Sequence, residues 1–456
     1  MVTFRAYLII LSVLFIQALD AQNRQLPIPG YEQRIRQSVN AIRLIDTHEH
    51  LMSEAEALAA PADFSCLFTN YQQSDLISSG MISEKVYNIL KGRETKLEDK
   101  WDAVKEGWEN MRTTAYGRSL LITAKDLYGI DDLNEKTYRD LSIRIRAAHQ
   151  PGYYETILKQ QSKIDACLIM EYNTTSPREV EKEGNCNFRR FFVYDKYCSF
   201  FGYNKMRARL SNYGIEFSTL PQLELLIDSV FAMDVRKGIQ GAKFGVAYYR
   251  TLKFDEVNRE TASATFEKLK ANPDHLFNFE EAKPLQDFIF FKLLSLCEKY
   301  KLPVQIHTGL QTGSGNEITN ANPTGLARAF FKFPNVKFCL LHASYPYGGE
   351  LATLAKNFPN VYIDMAWSAL ISPSYTRRYL QEFIETVPIN KIMAFGGDSQ
   401  TVKGAYGASI LARETVSSTL IQMVREGYLS EAEGLIVAAK LLRENAIKIY
   451  NIRLTG

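Results

Sequence analysis

The feature that most constrains this chain is a rhythm. Eight short apolar runs, at residues 44–50, 164–170, 191–194, 241–247, 302–307, 336–342, 361–365 and 392–397, recur along its 456 residues. Runs of that length read as buried strands. Between most of them lie helix-length stretches with apolar residues three and four apart, among them 285–300, 323–331, 348–357 and 375–386. Strand then helix, eight times over, predicts an α/β chain of the (β/α)8 or TIM-barrel class. Residues 431–450 supply a last helix to close the outer ring.

Residues 54–160 interrupt that rhythm. Helical spacing at 82–90, 101–115 and 137–148, broken by a turn at 126–132, predicts a mostly helical insertion after the first strand. Following the first strand, which ends in His48-Glu49-His50, it is expected to cover that strand's end. No linker or low-complexity tract divides the rest, so 22–456 reads as a single barrel domain. With 46% apolar and 23% charged residues and a net charge of +3, the chain has no basic stripe to suggest nucleic acid.

The first residues read as an export signal. Arg5 precedes an apolar run at 7–18, and small Ala21 stands before the expected cut, making 1–21 a signal peptide. The expected location is periplasmic or secreted, with no membrane span in the mature form, because the run is short for one. Of the six cysteines, Cys167 and Cys339 lie in apolar runs and read as buried thiols. Cys186 and Cys198 flank a loop-like stretch and could pair in an oxidising compartment. No C-x-x-C motif points to a cysteine zinc site.

The polar residues at the strand ends carry the chemistry. Four of the six histidines fall there. His48 and His50 close the first strand, and alternate strand residues share a face, so both imidazoles point one way. His307 ends the fifth, His342 the sixth, Asp398 follows the eighth, and Lys243 lies within the fourth. Barrel enzymes build their sites at the C-terminal strand ends. Any one of these histidines alone is commoner as a satisfied core residue. Jointly they point to a first-row metal site. His149 and His275, in helical or loop contexts, read as surface or structural residues.

This order of residues resembles the amidohydrolase superfamily. His342-Ala343-Ser344-Tyr345-Pro346, Asn360-Val361-Tyr362-Ile363-Asp364, Gly404-Ala405-Tyr406-Gly407-Ala408 and Asn445-Ala446-Ile447 are similar to its amidohydrolase-2 (amidohydrolase-related) branch. Within that branch the similarity is to the hydrolase-like domains fused to glutamine synthetase-like proteins. Gly241-Ala242-Lys243 with Tyr249-Arg250 resembles their fourth-strand region. The likeness runs over 235–452 and the first strand, while the insertion also resembles that of uronate isomerases. Gly396-Gly397-Asp398-Ser399 departs from the commoner Ser-Thr/Ser-Asp-Gly/Ala but keeps the aspartate.

The resemblance implies a metal-dependent hydrolase. His48, His50, His307 and Asp398 are then the expected ligands of one divalent ion, with zinc the expected metal. A second ion would require Lys243 to be carboxylated; left as a cation, Lys243 would hold a substrate carboxylate or oxyanion. Asp398 is also the expected base, and His342 the polariser of the scissile carbonyl or a further ligand. Arg250 is the expected fork for a substrate carboxylate, with a surface salt bridge as the alternative. Tyr345 and Trp367 are expected to line the pocket, with plain packing as the alternative. The implied reaction is cleavage of an amide or related C–N bond in a small carboxylate-bearing molecule by metal-activated water. Decarboxylation and uronate isomerisation would use the same site. The small-molecule substrate is the expected partner, and assembly into a homo-oligomer is left open.

Overall fold

A computed structural model of the protein describes residues 30–454 except 70, 93–94, 173–186, 212–213 and 215. Eight parallel strands pair in sequence order: β1 (Leu44–Glu49), β2 (Ile164–Glu171), β3 (Asn187–Val193), β4 (Gly241–Phe244), β5 (Val304–Ile306), β6 (Phe338–Leu340), β7 (Val361–Asp364) and β8 (Ile392–Met393). Helices cover the outside and side chains fill the inside, which is why β1 is buried along its whole length and its sequence does not alternate. The fold is the (β/α)8 barrel that the strand rhythm predicts.

The ring closes through irregular backbone after β8. Thr47 donates its N–H to the Phe395 carbonyl at 3.3 Å and His50 to Ser399 at 3.0 Å, while Asp398 donates back to His48 at 2.7 Å. The expected eighth strand, 392–397, is therefore only two residues of ladder followed by a coil laid against β1. The third strand departs the other way and starts at Asn187 instead of 191. Arg189 and Arg190 mask it in the sequence. In the barrel their guanidinium groups cap backbone carbonyls, of Arg453 at 2.6 Å and Lys237 at 2.7 Å.

Between β1 and β2 the chain forms helices Glu54–Ala59, Tyr71–Ser78, Ser83–Lys91, Leu97–Met111, Ala115–Tyr128 and Tyr138–Ala148. They share an aromatic core, with Trp108 edge-on to Phe68 at 5.5 Å and Trp101 stacked on Tyr138 at 5.1 Å. Helix Ala115–Tyr128 docks on Val402–Arg425, the helix after β8. Gly407 permits the crossing, since a Cβ there would stand 2.3 Å from the Ser119 hydroxyl. Tyr406 next to it donates to Asp126 at 3.0 Å. The insertion is thereby fixed over the strand ends.

Among the described residues no helix is long and apolar enough to cross a membrane. Cys167, Cys198, Cys297 and Cys339 are buried thiols. The expected signal peptide, 1–21, and Cys186 lie outside the described residues.

Candidate metal centre

Three side chains meet where β1 and β8 close the barrel. His50 Nε2 lies 3.2 Å from Asp398 Oδ1, and His48 Nε2 lies 3.7 Å from the same oxygen. One ligand atom from each of the three residues falls within 4.8 Å of the others. Asp398 takes a positive φ of 50°, as do His342 at 66° and Trp367 at 66°, so the chain after β6, β7 and β8 is strained at this rim.

Gln305 of β5 orients His48. Its amide N–H donates to the Thr47 carbonyl at 2.7 Å, which turns its oxygen toward His48 Nδ1 at 3.0 Å. His48 therefore carries its proton on Nδ1 and offers Nε2 to the centre. His50 Nδ1 lies 3.3 Å from the Tyr172 hydroxyl, leaving its Nε2 on Asp398. Burial and the Lys243 charge hold His48 well below the ordinary histidine value, so it is neutral. Burial pushes the Asp398 carboxyl up, but the surrounding imidazoles outweigh it and leave it well below the ordinary carboxylate value. A neutral His48 beside an ionised Asp398 is the protonation state a divalent ion requires of those two groups. The donor set fits such an ion, and His48, His50 and Asp398 would hold it.

His307, expected as a fourth ligand, stands outside this cluster. Its Nε2 faces the Leu310 carbonyl at 2.9 Å and its Nδ1 faces His342 Nε2 at 2.9 Å, so both nitrogens are engaged. His342 does not face the cavity. It is fully buried behind Asp398, with Nδ1 3.1 Å from the Ala366 carbonyl and 3.5 Å from Asp398 Oδ2. It is placed to position the carboxylate, which corrects its expected role as carbonyl polariser.

The other expected residues divide. Lys243 reaches the centre, its ammonium 3.3 Å from His48 Nε2. Burial lowers it to about 8, against the pull of Asp398 and Asp195. Arg250 is turned away and buried. It pairs with Asp287 at 2.7 Å, bonds Gln286 at 2.9 Å, and stacks on Phe254 at 4.1 Å. Its other donors go to the Thr251 and Lys253 carbonyls at 3.2 and 3.1 Å, so the guanidinium ties its own loop to helix Phe279–Lys299 and faces no substrate. Trp367 is also packing, stacked on Tyr71 at 4.3 Å and edge-on to His342 at 5.3 Å. Tyr345 lies against Tyr375 at 4.6 Å, and its carbonyl accepts from Leu310 N–H at 2.7 Å.

Four residues of the site escaped the sequence reading. Tyr71, from the insertion, hydrogen-bonds Asp398, and burial with that charge holds its phenol well above the ordinary value. Asp195, after β3, accepts from Gly245 N–H at 2.7 Å and lines the cavity beside Lys243. Asp46 and Glu49, buried behind the histidine pair, hydrogen-bond each other, and burial raises both carboxyls, Asp46 to about 7. Their signal was in plain view: two carboxylates beside His48 in a six-residue strand. The cavity over the centre measures about 260 Å³, and Lys243, Tyr248 and Tyr172 share its walls with the ligand set.

Sequence similarity reaches the second half of the chain, and similarity of shape concerns the fold. The family profile described as Amidohydrolase matches residues 274–452, which takes in β5 to β8 and leaves β1 outside. Protein fluG of Emericella nidulans is 29% identical over 178 residues, covering 38% of this chain, and the match spans about a fifth (20%) of that relative's length. In shape, uronate isomerase of Thermotoga maritima covers 92% of this chain and 97% of its own, with a TM-score of 0.77 at 15% identity. Glucuronate isomerase of Caulobacter crescentus covers 94% and 96%, with a TM-score of 0.76 at 18% identity. Those two likenesses concern the fold. Residues 274–452 thus match the amidohydrolase family model, and a His–His–Asp cluster able to hold a metal ion stands at the rim of the same barrel.

Proposed function

We propose that the protein is a metal-dependent hydrolase that cleaves an amide or related C–N bond in a small carboxylate-bearing molecule. The observation that carries this reading is the His48, His50 and Asp398 cluster, with Lys243 on the same cavity wall. A divalent ion, zinc by preference for this donor set, supplies Lewis acidity and acidifies water when bound. The chain's own groups do the rest. Asp398 takes a proton from the attacking water and returns it to the leaving nitrogen as the C–N bond breaks and the C–O bond forms. Lys243, a cation below about pH 8, faces the oxyanion that develops on the carbonyl oxygen. His342 and Tyr71 hold Asp398 from behind and above. The family match over 274–452 supports hydrolysis.

A second reading is isomerisation of a uronate, favoured by the shape likeness to uronate isomerases over 92% of the chain. A panel of N-acyl amino acids, dipeptides and uronates, incubated with metal-loaded protein in heavy-oxygen water, separates the two. Hydrolysis releases an amine and places solvent oxygen in the new carboxylate. Turnover of uronates with no amide cleaved would sink the hydrolase reading. Export, expected from the leader, belongs to the same proposal and is tested by locating the mature protein.

A further inference from the structure

The cavity at the metal centre adjoins a larger one that the reaction above does not use. The outer chamber measures about 640 Å³, and Thr312 and Gln400 line both. The barrel supplies one wall through Thr401 and Lys403, and the insertion the other through Cys66, His149 and Tyr153.

Lys403 sets this chamber apart. It is 6% exposed, and its ammonium lies 5.1 Å from the centre of the Tyr153 ring. Among the described residues its side chain has no hydrogen bond and no ion pair. Among the described residues the one carboxylate on the chamber wall, Glu56, is held by the Ser53 N–H at 2.8 Å and hydroxyl at 2.7 Å in a helix cap. Other buried cations are matched: Lys100 by Asp63 at 2.7 Å, Arg250 by Asp287 at 2.7 Å, Arg413 by the Ile42 carbonyl at 2.9 Å. A buried ammonium faced only by a ring, with no carboxylate or carbonyl to bond it, is costly. Its place adds to the cost, since Lys403 lies in the first turn of the 24-residue helix Val402–Arg425, where the helix dipole is already positive. Burial and the Lys403 charge hold neighbouring His149 below its ordinary value, so it stays neutral. His149 is thus part of a chamber wall, where the sequence suggested a surface or structural residue.

We propose that the outer chamber binds a carboxylate at the far end of an elongated substrate, with the Lys403 ammonium as its counter-ion and the Tyr153 ring as its apolar wall. One ammonium and one helix terminus balance a single negative charge, which fits a carboxylate better than a phosphate dianion. The proposal rests on the inner site being the reacting end. The two joined chambers would then select molecules with the scissile group and the carboxylate well apart.

Calorimetric titration with adipate, on metal-stripped and metal-loaded protein, tests this. Adipate is expected to bind in both states, because the outer chamber needs no ion. Lys403→Met and Lys403→Gln are expected to weaken binding roughly ten- to hundredfold, and Lys403→Arg to retain most of it. Lys403→Met is also expected to raise the melting temperature of the ligand-free protein, since it removes a buried charge that no carboxylate balances; a structural lysine would lower it. Equal adipate affinity in wild type and Lys403→Met overturns the proposal, as does tighter binding of inorganic phosphate than of adipate. Failure of the hydrolase reading shows separately, as absence of amide turnover with Lys403-dependent adipate binding intact.

Discussion

The Glu49 carboxylate accepts a hydrogen bond from the Ser399 backbone N–H at 2.6 Å, so the strand that carries both ligand histidines also holds the loop that carries Asp398. Asp46 does the same on the other side, accepting from Gly397 N–H at 3.1 Å. Between these two clamps Asp398 keeps its positive φ, a conformation that non-glycine residues rarely take. Glu49→Ala is therefore expected to weaken zinc affinity about ten- to hundredfold with the fold retained. Titration of metal-stripped protein with zinc measures this, and unchanged affinity would count against the clamp.

Arg250 leads to a prediction about stability. Its ion pair with Asp287 is wholly buried; Lys283 would still face that carboxylate without it, but the Gln286 side-chain oxygen would lose its donor. Arg250→Ala should cost about 1–3 kcal/mol in a denaturant melt. Because the side chain serves packing, KM of the protein that still folds should not move. A raised KM with unchanged stability would restore it to the substrate site.

The pH dependence of stability has an identifiable contributor. Tyr194 donates to Asp234 Oδ2 at 2.9 Å, and burial raises the Asp234 carboxyl from 3.8 to about 7. Between those values the folded state holds a proton that the unfolded state lacks. Stability from this group is thus present below the unfolded value and falls as pH rises through the folded one. Asp234→Asn keeps an acceptor for Tyr194 and removes the titration. Compared in urea melts at about pH 5 and about pH 8, the variant should lack a loss on the order of 2 kcal/mol that the wild type shows. Identical pH dependence would assign the loss elsewhere.

What could be read from the sequence follows from which interactions are local. Strand runs are local patterns, and a parallel barrel places strand ends at one rim, so His48, His50 and Asp398 could be brought together on paper. Lys243 followed by the same rule. Arg250 misled because its partner, Asp287, lies on a helix 37 residues away, and nothing local separates a buried ion pair from a ligand fork. His307 and His342 do end strands, but each spends its nitrogens on the other ring and on carbonyls supplied by irregular backbone. Tyr71 comes from helix Tyr71–Ser78 of the insertion, more than 300 residues from Asp398 in the chain, and nothing local marks it as a neighbour. Lys403, one charge among many in the sequence, becomes informative only once its surroundings are seen to lack a carboxylate for it.

Metal analysis of dialysed protein, wild type beside His48→Ala and Asp398→Ala, tests the central claim most directly. The account predicts about one divalent ion per wild-type chain and essentially none in either variant, with circular dichroism unchanged. Turnover by wild type stripped of metal, or a full complement of metal in either variant, would contradict it.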